Sequence, residues 1–127
     1  MPEADEFAKT LLIVDSSLFI VERLVDMLKE VKFIDKILTA TDYNTAVDIL
    51  SREKAGIVLL DIQLPGKNGI DLLKHMVHHF PESKVIVLSN LVSDYYQKLC
   101  KKAGAFHYID KSKDFDKIPE VILSIGD

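Results

Sequence analysis

An α/β fold with one doubly wound, five-stranded parallel sheet is predicted by three observations. The sequence holds five short apolar runs of strand length, a helical period in each interval between them, and 127 residues, a length that suits one domain.

The first run, LLIV at 11–14, contains no polar residue, as a strand covered on both faces requires. After it Leu18, Val21, Leu24, Val25, Leu28 and Val31 recur at helical spacing, with Glu22, Asp26 and Lys29 on the opposite face. The second strand is read at 37–40, followed by a helix marked by Ala46, Val47, Ile49 and Leu50. IVLL at 57–60 is the third strand, and Ile70, Leu73, Met76, Val77 and Phe80 mark a helix that ends before Pro81. The fourth strand spans 85–88; Tyr96, Leu99, Cys100 and Ala103 form the next helix, stopped by Gly104. A fifth strand at 106–109 precedes a last helix through Phe115, Ile118, Val121, Ile122 and Ile125. All five strands read as buried. Parallel neighbours need crossover connections and helices on both faces, which implies the flavodoxin-like strand order 2-1-3-4-5 with five helices.

With 48% apolar residues, scattered Pro and Gly and no internal repeat, residues 1–127 read as one unit, its core over 9–125 and no output domain after it. A formal charge of −4, and no basic run interleaved with aromatics, argue against direct nucleic-acid binding. The acidic start MPEADEFAK is unlike a signal peptide, and no apolar stretch approaches the roughly 20 residues of a membrane span, so a cytoplasmic location without membrane insertion is expected. The single cysteine, Cys100, excludes an internal disulfide and reads as a buried structural thiol.

In open parallel sheets the ligand site lies beyond the carboxyl ends of the strands. Those ends carry Asp15, Asp61, Ser89 and, two residues past the fifth strand, Lys111. Two acids, a hydroxyl and an ammonium therefore converge on one edge. Any one of them reads equally as a loop residue, and Asp15 or Ser16 as the cap of the first helix; the set in this order does not.

The segments LLIVDSS, LLDIQLPGKNG, VIVLSN and FHYIDKS resemble the four signature segments of response-regulator receiver domains, the stand-alone form related to the chemotaxis response regulator. The second is the most specific, with Pro65 four residues and Gly69 eight residues after Asp61. The resemblance implies that Asp61 accepts a phosphoryl group from a sensor histidine kinase or phosphotransfer protein. Lys111 would pair with a phosphoryl oxygen, Ser89 would hydrogen-bond another, and Tyr108 would act as an aromatic switch, its alternative being a plain packed strand tyrosine. Magnesium would be held by Asp15, Asp61 and the backbone carbonyl of Gln63. The chain would be a phosphoacceptor rather than an enzyme, at most phosphorylating itself from small donors and losing that phosphate again. It would signal to an unknown downstream protein through a surface including Tyr95, Tyr96, Lys98, Tyr108 and Lys117, as a monomer or weak homodimer.

Three positions depart from the family. Ser16 stands where a second acid usually follows Asp15, so weak magnesium binding is expected, lowered at least about 10- to 100-fold. Ser112 replaces a proline often joined by a cis bond; a trans bond is expected, since cis costs about 3 kcal/mol without proline. Leu91, an apolar residue two positions past Ser89, is consistent with slow hydrolysis and reads equally as a loop leucine tucked against the sheet. His75, His78 and His79 have the spacing of metal ligands but lack partners, and they suit a helix C-terminus instead. His107 reads as a strand residue that faces outward or packs as a polar group, with nothing to suggest catalysis. The alternative to a working receiver is a phosphorylation-independent adaptor with a disabled magnesium site, resting on Ser16 alone. A flavin carrier or an aspartate-nucleophile phosphatase is disfavoured, because DSSLF has no glycine for a phosphate and no aspartate two residues after Asp15.

Overall fold

The computed structural model describes residues 9–90 and 93–126. Its elements are β1 (Thr10–Val14), α1 (Leu18–Leu28), β2 (Lys36–Ala40), α2 (Tyr43–Arg52), β3 (Ile57–Asp61), α3 (Gly69–His79), β4 (Lys84–Ser89), α4 (Asp94–Lys102), β5 (His107–Asp110), a 3-10 turn (Phe115–Lys117) and α5 (Ile118–Gly126). The strands are parallel and lie in the order β2-β1-β3-β4-β5, the flavodoxin-like arrangement expected.

Successive side chains of a strand point to opposite faces, so each unbroken apolar run feeds two cores. Leu12, Val14, Val58, Leu60, Val85 and Val87 pack with Ala46, Leu50, Leu73, Met76 and Cys100 of α2, α3 and α4. Leu11, Ile13, Ile57, Leu59, Ile86 and Leu88 pack on the other face with Leu24 and Leu28 of α1 and Ile118 and Ile122 of α5. Short polar side chains start the helices: Ser17, Asp42, Asn68 and Ser93 each accept a backbone N–H of the turn they cap. Gly104 takes φ +110 just past α4, where a Cβ would lie 2.7 Å from Val77, so its place as a helix stop is also a steric one.

Several expectations are corrected. The edge strands β2 and β5 are only partly buried, because each has one neighbour and incomplete helical cover. The fifth strand begins one residue later than its apolar run, leaving Phe106 52% exposed with the Lys84 ammonium over its ring. Leu18, placed on the inner face of α1 by its spacing, is 62% exposed, and Val31 is buried beyond the helix end. The cap of α1 is Ser17, not Asp15 or Ser16. Among the described residues no helix is long and apolar enough to cross a membrane.

Candidate functional site

Asp15 directly follows β1, and Asp61 closes β3, the central strand, whose five residues are all buried. Both carboxylates are buried, at 1% and 4% exposure. Each directs Oδ1 back at its own loop: Asp15 accepts from the Ser17 N–H and Asp61 from the Gln63 N–H, both at 2.9 Å. This fixes the direction of each Oδ2, and Lys111 Nζ meets both, 2.6 Å from Asp15 and 3.5 Å from Asp61. The buried Asp15 Oδ2 thus has the Lys111 ammonium as its ion-pair partner and no further hydrogen-bond donor among the described residues. Burial pushes the Asp61 carboxyl above its ordinary value and the Asp15 charge adds to this, while the Gln63 N–H and the Lys111 ammonium oppose it.

Ser89 ends β4, fully buried, and its hydroxyl contacts Gln63 Oε1 at 3.5 Å and hydrogen-bonds with the half-buried Tyr108. Gln63 Oε1 also accepts the Asn90 N–H at 3.1 Å, and Asn90 Oδ1 accepts the Ser112 hydroxyl at 2.9 Å. The structure thus gathers Asp15, Asp61 and Lys111 into one cluster and links Ser89, Tyr108 and Gln63 beside it. Ser16 is exposed at its rim. The described backbone has no cis peptide bond, as expected at Ser112. Leu91 lies outside the described residues. Sequence reasoning missed the Gln63 side chain, Asn90 and the Ser112 hydroxyl as participants. Their only signal was closeness in sequence to Asp61, Ser89 and Lys111 respectively.

Magnesium commonly takes one or two carboxylates and keeps its waters, and Asp15 Oδ2 and Asp61 Oδ2, two buried oxygens that already share one cation in Lys111, fit such an ion. Among the described residues no group of three His, Cys, Asp or Glu converges, so the fit is to two carboxylates only.

Elsewhere, His75 and His79 stack at 3.9 Å and His79 Nδ1 contacts the His75 carbonyl, an arrangement that turns the rings on each other rather than on a metal. His107 is exposed. Cys100 is buried, which pushes its thiol up to about 11. A groove of about 360 Å³ between α4 and β5 is lined by Gln97, Lys98, Lys101, Phe106 and Tyr108, among others, and so includes part of the expected output surface.

A family model described as the response regulator receiver domain matches residues 11–123. The chemotaxis protein CheY of Thermotoga maritima is 31% identical over 118 residues, 93% of this chain and 98% of that protein. A protein-glutamate methylesterase/protein-glutamine glutaminase of Sulfurimonas denitrificans is 34% identical over 114 residues, 87% of this chain, yet the chain spans only 32% of that enzyme. It spans 36% and 44% of two further curated relatives, less than half of each. Among solved structures, the CheX-CheY-BeF3-Mg+2 complex of Borrelia burgdorferi matches with a TM-score of 0.82 at 30% identity, over 93% of this chain and 89% of the other.

Proposed function

We propose, for a chain that belongs to the response regulator receiver domain family, that Asp61 accepts a phosphoryl group from a phosphohistidine of a sensor histidine kinase or phosphotransfer protein. The observation that carries this reading is the buried Asp61 carboxylate, one oxygen held by the Gln63 N–H and the other 3.5 Å from the Lys111 ammonium. In the step, an Asp61 oxygen forms a bond to phosphorus as the donor's P–N bond breaks, its electron pair going to the imidazole. Approach of two anions is the barrier, and a fixed ammonium lowers it. Ser89 would donate to a phosphoryl oxygen, leaving its contact with Gln63, and Tyr108 would follow through its bond to Ser89. Asp15, Asp61 and the Gln63 carbonyl would hold magnesium, which supplies further positive charge when bound.

The signal would pass to another protein across the face that includes Tyr95, Tyr96, Lys98, Tyr108 and Lys117. The receiver would act in the cytoplasm, as a monomer or weak homodimer without catalytic turnover of its own beyond taking and losing phosphate.

Incubation with phosphoramidate and magnesium is expected to give acid-stable, base-labile phosphate on the wild type and none on Asp61→Asn, read by intact mass. Phosphate on Asp61→Asn would sink the assignment of the acceptor. Because Ser16 leaves two carboxylates at the metal position, Ser16→Asp is expected to tighten magnesium binding by about 10-fold or more in a calorimetric titration; unchanged affinity would refute the charge argument. That same two-carboxylate site favours a second reading, a phosphorylation-independent adaptor. Wild-type protein that takes up no phosphate at any magnesium level, while still binding a partner, would establish it.

A further inference from the structure

We propose that Ser112 and Asn90 are positioning residues that join Lys111 and Ser89 into one moving unit, an inference that rests on the phosphoacceptor reading above. Ser112 follows Lys111 in the chain, and Asn90 follows Ser89. The Ser112 hydroxyl donates to Asn90 Oδ1 at 2.9 Å, and the Lys111 backbone N–H donates to the Ser89 carbonyl at 2.9 Å. The ammonium and the hydroxyl that must both face a transferred phosphoryl group are therefore tied at two successive residues.

The tie is anchored on both sides. Asp110 Oδ1 accepts the N–H groups of Ser112 and Lys113 at 2.9 and 3.2 Å, an Asx turn that sets the direction of the Ser112 side chain. The Asn90 N–H donates to Gln63 Oε1, and the Gln63 N–H in turn holds Asp61 Oδ1. Three loops thus connect from the nucleophile to the lysine without any bond through solvent. A proline at 112, as the family commonly has, would bring neither the N–H nor the hydroxyl. Serine there exchanges ring stiffness for a link between loops. The gain is in preorganisation: donors that arrive together need no rearrangement as charge develops on the phosphoryl oxygens. Both bonded side chains are solvent-exposed, so the bond acts locally and adds little to global stability.

The test compares wild type, Ser112→Ala, Asn90→Ala, the double variant and Ser112→Thr. Before any phosphorylation, hydrogen exchange at the Lys111 backbone N–H should quicken about three-fold in each alanine variant, no further in the double, and return to the wild-type rate in Ser112→Thr. Phosphorylation of Asp61 by phosphoramidate should slow by a similar factor in the same pattern, with urea midpoints unchanged. Equal exchange in all five proteins, or losses that add in the double variant, would overturn the coupling. If the exchange pattern holds while wild type takes up no phosphate, the loops are joined but the acceptor reading is wrong, and the positioning role falls with it.

Discussion

Replacing Lys111 with methionine is expected to lower the unfolding free energy by about 3 kcal/mol at neutral pH, because it leaves two buried carboxylates facing each other without their shared cation. The loss should depend on pH in a definite sense. Burial holds the Asp61 carboxyl above its ordinary value, so the native state keeps its proton where the unfolded chain has lost it. The stability that this group confers is complete below the unfolded value and disappears as pH rises through the native one. Lys111 opposes the upward shift. Without it the native value climbs further and the loss extends to higher pH. Urea titrations at about pH 8 and about pH 5 should therefore show a deficit that shrinks on acidification. A deficit of the same size at both would mean that methionine disturbs packing, not charge. The variant should also accumulate less phosphate, since the fixed ammonium that offsets part of the donor's charge is gone.

Gly69→Ala is expected to cost about 3 kcal/mol, the upper part of the range for overpacking. A Cβ at Gly69 would sit 2.1 Å from the Ile62 carbonyl oxygen and 2.4 Å from Ile62 Cγ1. The first of these is backbone, so the chain itself must move. Ile62 follows Asp61 and donates its N–H to the Leu88 carbonyl at 3.2 Å, so the displacement reaches both the acceptor strand and β4. Urea unfolding should record the loss together with weaker magnesium binding. A variant within about 0.5 kcal/mol of wild type would show that the loop between β3 and α3 relaxes freely.

Gly69 also illustrates what the sequence made legible. Its spacing from Asp61 marked the family, while the reason for it, a backbone oxygen inside the space of a side chain, exists only in the folded loop. The central strands were plain because β1, β3 and β4 are covered on both faces and admit no polar interruption. The edges were less so. Phe106 extends an apolar run by hydrophobicity alone, yet it is solvent-exposed beneath the Lys84 side chain. Leu18 has the spacing of an inner-face residue but sits in the first turn, where α1 has not yet reached the sheet. For the site, the rule that ligands gather at strand carboxyl ends located Asp15, Asp61, Ser89 and Lys111. The bonds among Gln63, Asn90 and Ser112 depend on how three loops approach one another, and no periodicity records that.

Cys100 offers a use of its own. It is the only cysteine in the sequence and is wholly buried on the inner side of α4, with its thiol pushed up to about 11. A thiol reagent can reach it only when α4 lifts from the sheet. The rate of labelling at neutral pH is therefore a clock for that opening, built into the native chain. Run with and without a phosphoryl group on Asp61, it would time the motion of the same helix that borders Tyr108, without a probe having to be introduced.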